Sequence, residues 1–196
     1  MRIELQLQSD DTALAPLRVA AHQAGSRYVG RHASLAQRAR EHHVALNGSA
    51  MPNTVRASLE LVPSIADLLS SPHWQAPEAA RDRFAGALAY FVQPDDLIPD
   101  DDGRYGYLDD AFVLKLALAE SSHEWLAWRD YSDYVATHPA ETGIDRRTWM
   151  LHRRERLDVE LRKRNEKGYA PDGRRSSAFS DTYAPAIDSP GRFGVR

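Results

Sequence analysis

Between residues 90 and 110 the chain places seven aspartates and two prolines between two apolar segments, 84–92 and 111–119. That stretch constrains the fold more than any other. Pro94 ends a helix arriving from its N-terminal side, because the residue before a proline is pushed out of the helical region. Asp109 and Asp110 suit the first turn of the next helix, where unpaired amides and the macrodipole favour carboxylates. Two helices, about 77–93 and 108–120, joined by a connection held by Pro94, Pro99 and Gly106, predict an antiparallel hairpin with an acidic mouth.

Composition narrows the class. The 196 residues suffice for one domain with extensions and a real core. Apolar content of 42% and charged content of 27% lie in the ordinary globular range. A net charge of −3 exerts no global pull toward nucleic acid or anionic membrane. The chain has no cysteine, which removes disulfides, thiolate catalysis and cysteine-ligated metal centres. No apolar run reaches the ~18 residues of a spanning helix, and the first residues lack a signal-peptide core. The expectation is a soluble, cytoplasmic protein.

Read along its length, the chain is mainly α-helical. Ile3, Leu5 and Leu7 alternate with polar residues, so a short N-terminal strand is one option. Helical patterning covers 11–46, interrupted near Gly25 and Gly30. Turn chemistry follows at 47–53, then helix to Leu61 and again from Pro63 to Leu69. After the hairpin, Ser121 and Glu124 have capping-box spacing and predict a fresh helix to Thr137. Asp145 is the expected cap of a last helix, with Gly168 as its stop. Three parts result: a helical region over 1–75, the hairpin core with its C-terminal basic helix over 76–168, and a tail over 169–196. The tail is rich in Gly, Pro, Ser and Arg and is expected to be extended.

The acidic stretch carries a further signal. Its first half reads Pro94-Asp95-Asp96-Leu97-Ile98-Pro99-Asp100 and its second Gly106-Tyr107-Leu108-Asp109-Asp110. In both halves and their separation it resembles the YkvA family of bacterial domains of unknown function, over about residues 68–119. The resemblance implies a helical domain centred on the hairpin and implies no activity. Asp95 stands where that family usually has an apolar residue, and the spacer 101–105 is polar. Both departures turn the loop away from a membrane or a greasy partner.

Two chemistries suit the aspartates. As structural groups they cap helices and turns, with Asp96 on the turn at Leu97 and Ile98, and with Leu97, Ile98 and Leu108 pinned to the core. As ligands, Asp96, Asp100, Asp109 and Asp110 would form a four-carboxylate mouth for Mg²⁺, Mn²⁺ or Ca²⁺, the hard cations that prefer such oxygens. An EF-hand is a poor match: Asp100, Asp102, Gly103 and Asp109 fall at positions 3, 5, 6 and 12, but position 1 would be Ile98. No zinc-protease, phosphate-loop or nucleophile-elbow motif occurs. His32, His42 and His43 share a basic stretch with Arg31, Arg38 and Arg40 and read as a solvated face.

The last helix offers a second surface. Arg146, Arg147, Arg153, Arg154, Arg156, Arg162, Lys163, Arg164 and Lys167 outnumber Asp145, Glu155, Asp158, Glu160 and Glu166. Asp158–Arg162 and Glu160–Arg164 form self-neutralising i,i+4 pairs. The alternative is docking onto nucleic acid or an acidic protein surface, including the acidic loop of a second copy. Trp125, Trp128, Tyr131 and Tyr134 recur every three residues and read as a core stripe.

The sequence therefore predicts a compact helical bundle and, first, a non-enzymatic interaction or regulatory protein that presents a rigid acidic loop. Asp101 and Asp102 are its candidate partner-binding residues, together with Arg153, Arg154 and Arg156. Its partner would be a protein, with a homo-oligomer as one form. A divalent-metal-dependent phosphoester hydrolase built on the Asp cluster is the alternative, and nucleic-acid binding through 146–167 is the third reading.

Overall fold

A computed structural model describes residues 11–93, 97–98, 105–141 and 143–168. The candidate strand at residues 3–7 and the tail 169–196 lie outside the described residues, among which every regular element is helical. In chain order these are α1 (Asp11–Ser26), α2 (His32–Ala45), α3 (Asn53–Leu59), α4 (Val62–Ser70), α5 (Glu78–Phe91), α6 (Leu108–Glu120), α7 (Ser122–Thr137), a 3-10 turn (Pro139–Glu141) and α8 (Arg146–Gly168). The chain divides into a compact unit ending at Met150 and a second unit from Leu151 onward.

The first unit is a helical bundle, and α5 is its axis. Phe84, Ala85, Ala87, Leu88, Ala89, Tyr90 and Phe91 are all buried, so this helix has neighbours on nearly every side. It packs most extensively against α1, then against α6, α2 and α4. The α5–α6 pair is the antiparallel hairpin that the prolines predict. Tyr90 meets Asp109 at the loop end, and Arg83 meets Glu120 at the other. Pro77 caps α5 and supplies no side-chain bond; its extended backbone simply starts the helix at Glu78.

Small residues set how closely α1 approaches α5. A Cβ on Gly86 would lie 2.8 Å from the Ala21 carbonyl oxygen, and one on Gly25 would lie 2.9 Å from the Gly86 Cα. Both obstacles are backbone, which cannot swing away as a side chain can. Glycine is required at this crossing for space, and at Gly30 (φ 73°) for the left-handed turn between α1 and α2.

An aromatic layer closes the base. Trp74, Trp128, Tyr131 and Trp149 are buried and in ring contact, with centroids 5.0–5.7 Å apart. The Trp128 indole donates to the Ser64 carbonyl at 3.1 Å. Asp145 caps α8, accepting the Thr148 amide at 2.8 Å, as its position predicts.

Two local expectations fail. Ser121 precedes α7 but makes no side-chain capping bond, and Glu124 does not reach back to it. Glu124 instead turns into the bundle, where a stronger donor set awaits it. His42 is not on a solvated face either. Its ring packs edge-on against Phe91 at 4.8 Å, and its Nε2 is buried with no hydrogen-bond partner among the described residues.

Candidate functional site

The acidic motif is organised by one carboxylate. Asp109, in the first turn of α6, is 4% exposed. Its Oδ2 accepts the Tyr90 hydroxyl at 2.8 Å and the Ile98 amide at 3.0 Å. The Tyr90 oxygen in turn accepts the Leu97 amide at 3.0 Å. Two consecutive loop amides are therefore held by the last turn of α5 and the first turn of α6. Burying those amides unpaired would cost roughly 1–3 kcal/mol each, so the clamp holds the backbone at Leu97 and Ile98.

The clamp corrects the expected pinning of this turn. Leu97 is 64% exposed and does not anchor the loop to the core; its backbone does. Tyr105, on the far side of the spacer, is 58% exposed. Tyr90 is the residue that sequence reasoning missed. Its signal was a phenol in an otherwise apolar helix end, 19 positions before Asp109.

Asp110 is fully buried beside Asp109. The second Asp109 oxygen, Oδ1, has no hydrogen-bond partner among the described residues. Asp96, Asp100, Asp101 and Asp102 lie outside them, so of the four candidate ligands the structure places Asp109 and Asp110. Among the described residues no group of three or more His, Asp or Glu side chains could hold a metal ion. His42 lies behind the clamp, with its ring 6.2 Å from that of Tyr107. Burial pushes its pKa below the ordinary histidine value.

A second buried carboxylate stands at the base. Glu124 accepts the Trp74 indole at 2.8 Å and a two-pronged Arg146 guanidinium at 2.7 Å on each oxygen. The guanidinium also lies over the Trp74 ring, 5.9 Å from its centroid. Its pKa is pushed up, chiefly by the bonds to Glu124. This group joins the 71–77 connection, α7 and the start of α8.

A groove of about 300 Å³ runs between α1, α5 and α6, with Ala21, Gly86 and Ala117 in its lining. Glu120 crosses it, paired with Arg18 at 2.5 Å and Arg83 at 3.4 Å. Asp109 and Asp110 do not line it.

In the second unit α8 continues to Gly168 and carries the candidate residues Arg153, Arg154 and Arg156. Arg154 and Arg156 are exposed and Arg153 is partly buried. Leu151, Leu157, Val159 and Leu161 are also exposed. No helix is long and apolar enough to cross a membrane among the described residues.

Residues 83–116 match the family described as "Protein of unknown function (DUF1232)". The YkvA-like domains are a family of that kind, so the resemblance carried by the acidic motif is borne out over the hairpin. No curated protein and no solved structure matches the chain.

Proposed function

We propose that the chain is a non-enzymatic interaction or regulatory protein whose helical hairpin holds an acidic loop in a fixed conformation for a protein partner. The observation that carries this reading is the Asp109 clamp. One of its oxygens is committed to a phenol and a backbone amide, which is the work of a structural staple. What the staple leaves outward is Leu97 and Tyr105, two exposed side chains set among aspartates. That combination suits a partner with a basic rim and apolar pockets. On this reading residues 76–168 are the working core, 1–75 a flanking helical region, 169–196 a tail, and the protein acts in the cytoplasm. Changing Asp101 and Asp102 to Asn should abolish partner binding in a pull-down while leaving thermal unfolding unchanged. Retained binding would overturn the reading.

One observation favours a second reading. The Asp109 Oδ1 is buried with no hydrogen-bond partner among the described residues, and a divalent cation is a ligand such an oxygen could take. With Asp96 and Asp100 as further ligands, a bound Mg²⁺, Mn²⁺ or Ca²⁺ would activate water for phosphoester hydrolysis. Thermal unfolding of EDTA-stripped protein separates the two readings. A cation at about 100 times its dissociation constant stabilises by roughly 2.7 kcal/mol. A raised midpoint in the wild type that Asp96→Asn, Asp109→Asn loses would establish the metal site. The interaction reading expects no rise.

A further inference from the structure

The groove between α1, α5 and α6 lies apart from the acidic loop, and its chemistry differs at its two ends. α5 lines it with Ala79, Asp82, Arg83 and Gly86, which share one face of that helix. At 1.5 Å per residue this face runs for about 10 Å. Toward Gly86 the lining is small and apolar, formed by Ala21, Val113 and Ala117. The Ala21 carbonyl leaves no room for a Cβ on Gly86, so α1 and α5 meet there at backbone distance. Side chains this small cannot fill the space above the crossing, and the groove stays open.

Toward Ala79 the lining is charged. Arg18 holds Glu120 at 2.5 Å, whereas Arg83 reaches the same carboxylate only through Nε, at 3.4 Å. A guanidinium paired with a carboxylate normally closes to about 2.7–2.9 Å. The Arg83 Nη1 turns to the Ala79 carbonyl at 3.3 Å, which is also long. With 43% of its side chain exposed, Arg83 is loosely committed and open to solvent. Asp82 lines this end too, yet forms no ion pair with Arg83 among the described residues. Glu120 thus shows the kind of group that this end accepts, and Arg83 has a fork to offer a second one.

We infer that the groove is a binding site for a small monocarboxylate with a compact apolar tail. The ligand's carboxylate takes the fork of Arg83, while Glu120 stays with Arg18. Its tail lies along Ala21, Val113 and Ala117, in the lining pattern of small-molecule sites: an apolar wall with a few charged groups at one end. Asp82 and Glu120 limit the charge that fits, because a dianion would be repelled by both. The groove shares no residue with the Asp109 clamp, so this site stands or falls independently of the loop's role.

Titration of the isotope-labelled full chain with phenylacetate, followed through its backbone amide NMR shifts, tests the inference. Amides of α5 and α6 around the groove should shift saturably, with a dissociation constant of about 1 mM. Phenylacetamide, of the same shape without the charge, and phenylphosphonate, a dianion, should each bind about tenfold more weakly or worse. Arg83→Gln, at an exposed position, should weaken phenylacetate by about tenfold and leave phenylacetamide unchanged. Glu120→Gln should tighten phenylacetate, since it removes a carboxylate that competes for Arg83. No saturable shift, or equal binding of the acid and the amide, would overturn the inference. So would phenylacetate binding that Arg83→Gln leaves intact or that Glu120→Gln weakens. Preference for phenethylamine would overturn it in favour of a cation held by Asp82 and Glu120.

Discussion

The bundle buries carboxylates at two places and treats them in opposite ways. At the base, Glu124 meets a guanidinium with both oxygens and an indole besides, so its charge is cancelled and its bonds are filled. Under the acidic loop, among the described residues, Asp109 Oδ2 accepts a phenol and a backbone amide, both neutral donors. The first arrangement is closed and serves stability. The second holds a backbone in place.

The sharpest way to break this contrast is to open the closed site. Arg146→Met removes the guanidinium from the buried Glu124 carboxylate, and should cost about 3 kcal/mol in urea unfolding. Adding Glu124→Gln should recover much of that loss. If the double variant is no better than the single one, the pair is not the closed unit described. The next effect comes from α5, which carries the Tyr90 side of the loop clamp. Gly86→Ala drives a methyl group against the Ala21 carbonyl and should cost about 1–3 kcal/mol while displacing the helix. Amide hydrogen exchange at Leu97 and Ile98 should quicken in that variant, and unchanged exchange would show that the clamp does not depend on the α1–α5 crossing.

Tyr90→Phe is gentler, since it removes one hydroxyl and leaves Asp109 the Ile98 amide. A loss of about 1–2 kcal/mol is expected. If the loop is a presented surface, partner binding should fall further than that stability loss explains. The smallest effect concerns His42. Burial lowers its pKa below the ordinary value of 6.5, so the unfolded chain takes up the proton more readily than the folded one. Its contribution is complete above that value and diminishes as pH falls toward the folded pKa. His32, also lowered by burial, acts in the same direction. Thermal midpoints measured from neutral to mildly acidic pH should decline less steeply in His42→Gln than in wild type.

The elements legible in the sequence were those written in local chemistry. Pro77 and Pro94 bracket the first hairpin helix, Asp145 caps α8, and the recurring aromatic residues of α7 enter the core. What was not legible depended on distant partners. The Ser121-to-Glu124 spacing satisfied a local rule, yet the donors that claimed Glu124 lie 50 and 22 residues away, on Trp74 and Arg146. A charged guanidinium and an indole outcompete one helix-terminal amide, so the tertiary contact prevailed. His42 was misplaced for the same reason, because Phe91 is remote in sequence. At the candidate site Asp109 and Asp110 were marked together, by their place in the first turn of a helix and in the acidic motif. Their inequality follows from Tyr90, a partner that no spacing rule names.

The Leu97–Tyr90 and Ile98–Asp109 bonds also bear on how this protein could vary or be engineered. They close the chain on itself before residue 99, and the helix resumes at Leu108. Whatever lies between is fastened at a drawstring whose knots are elsewhere. Doubling such a segment adds only about 0.6 kcal/mol of closure entropy. A foreign peptide spliced between Asp101 and Gly103 should therefore be displayed without unseating either helix, which makes the hairpin a scaffold for grafting.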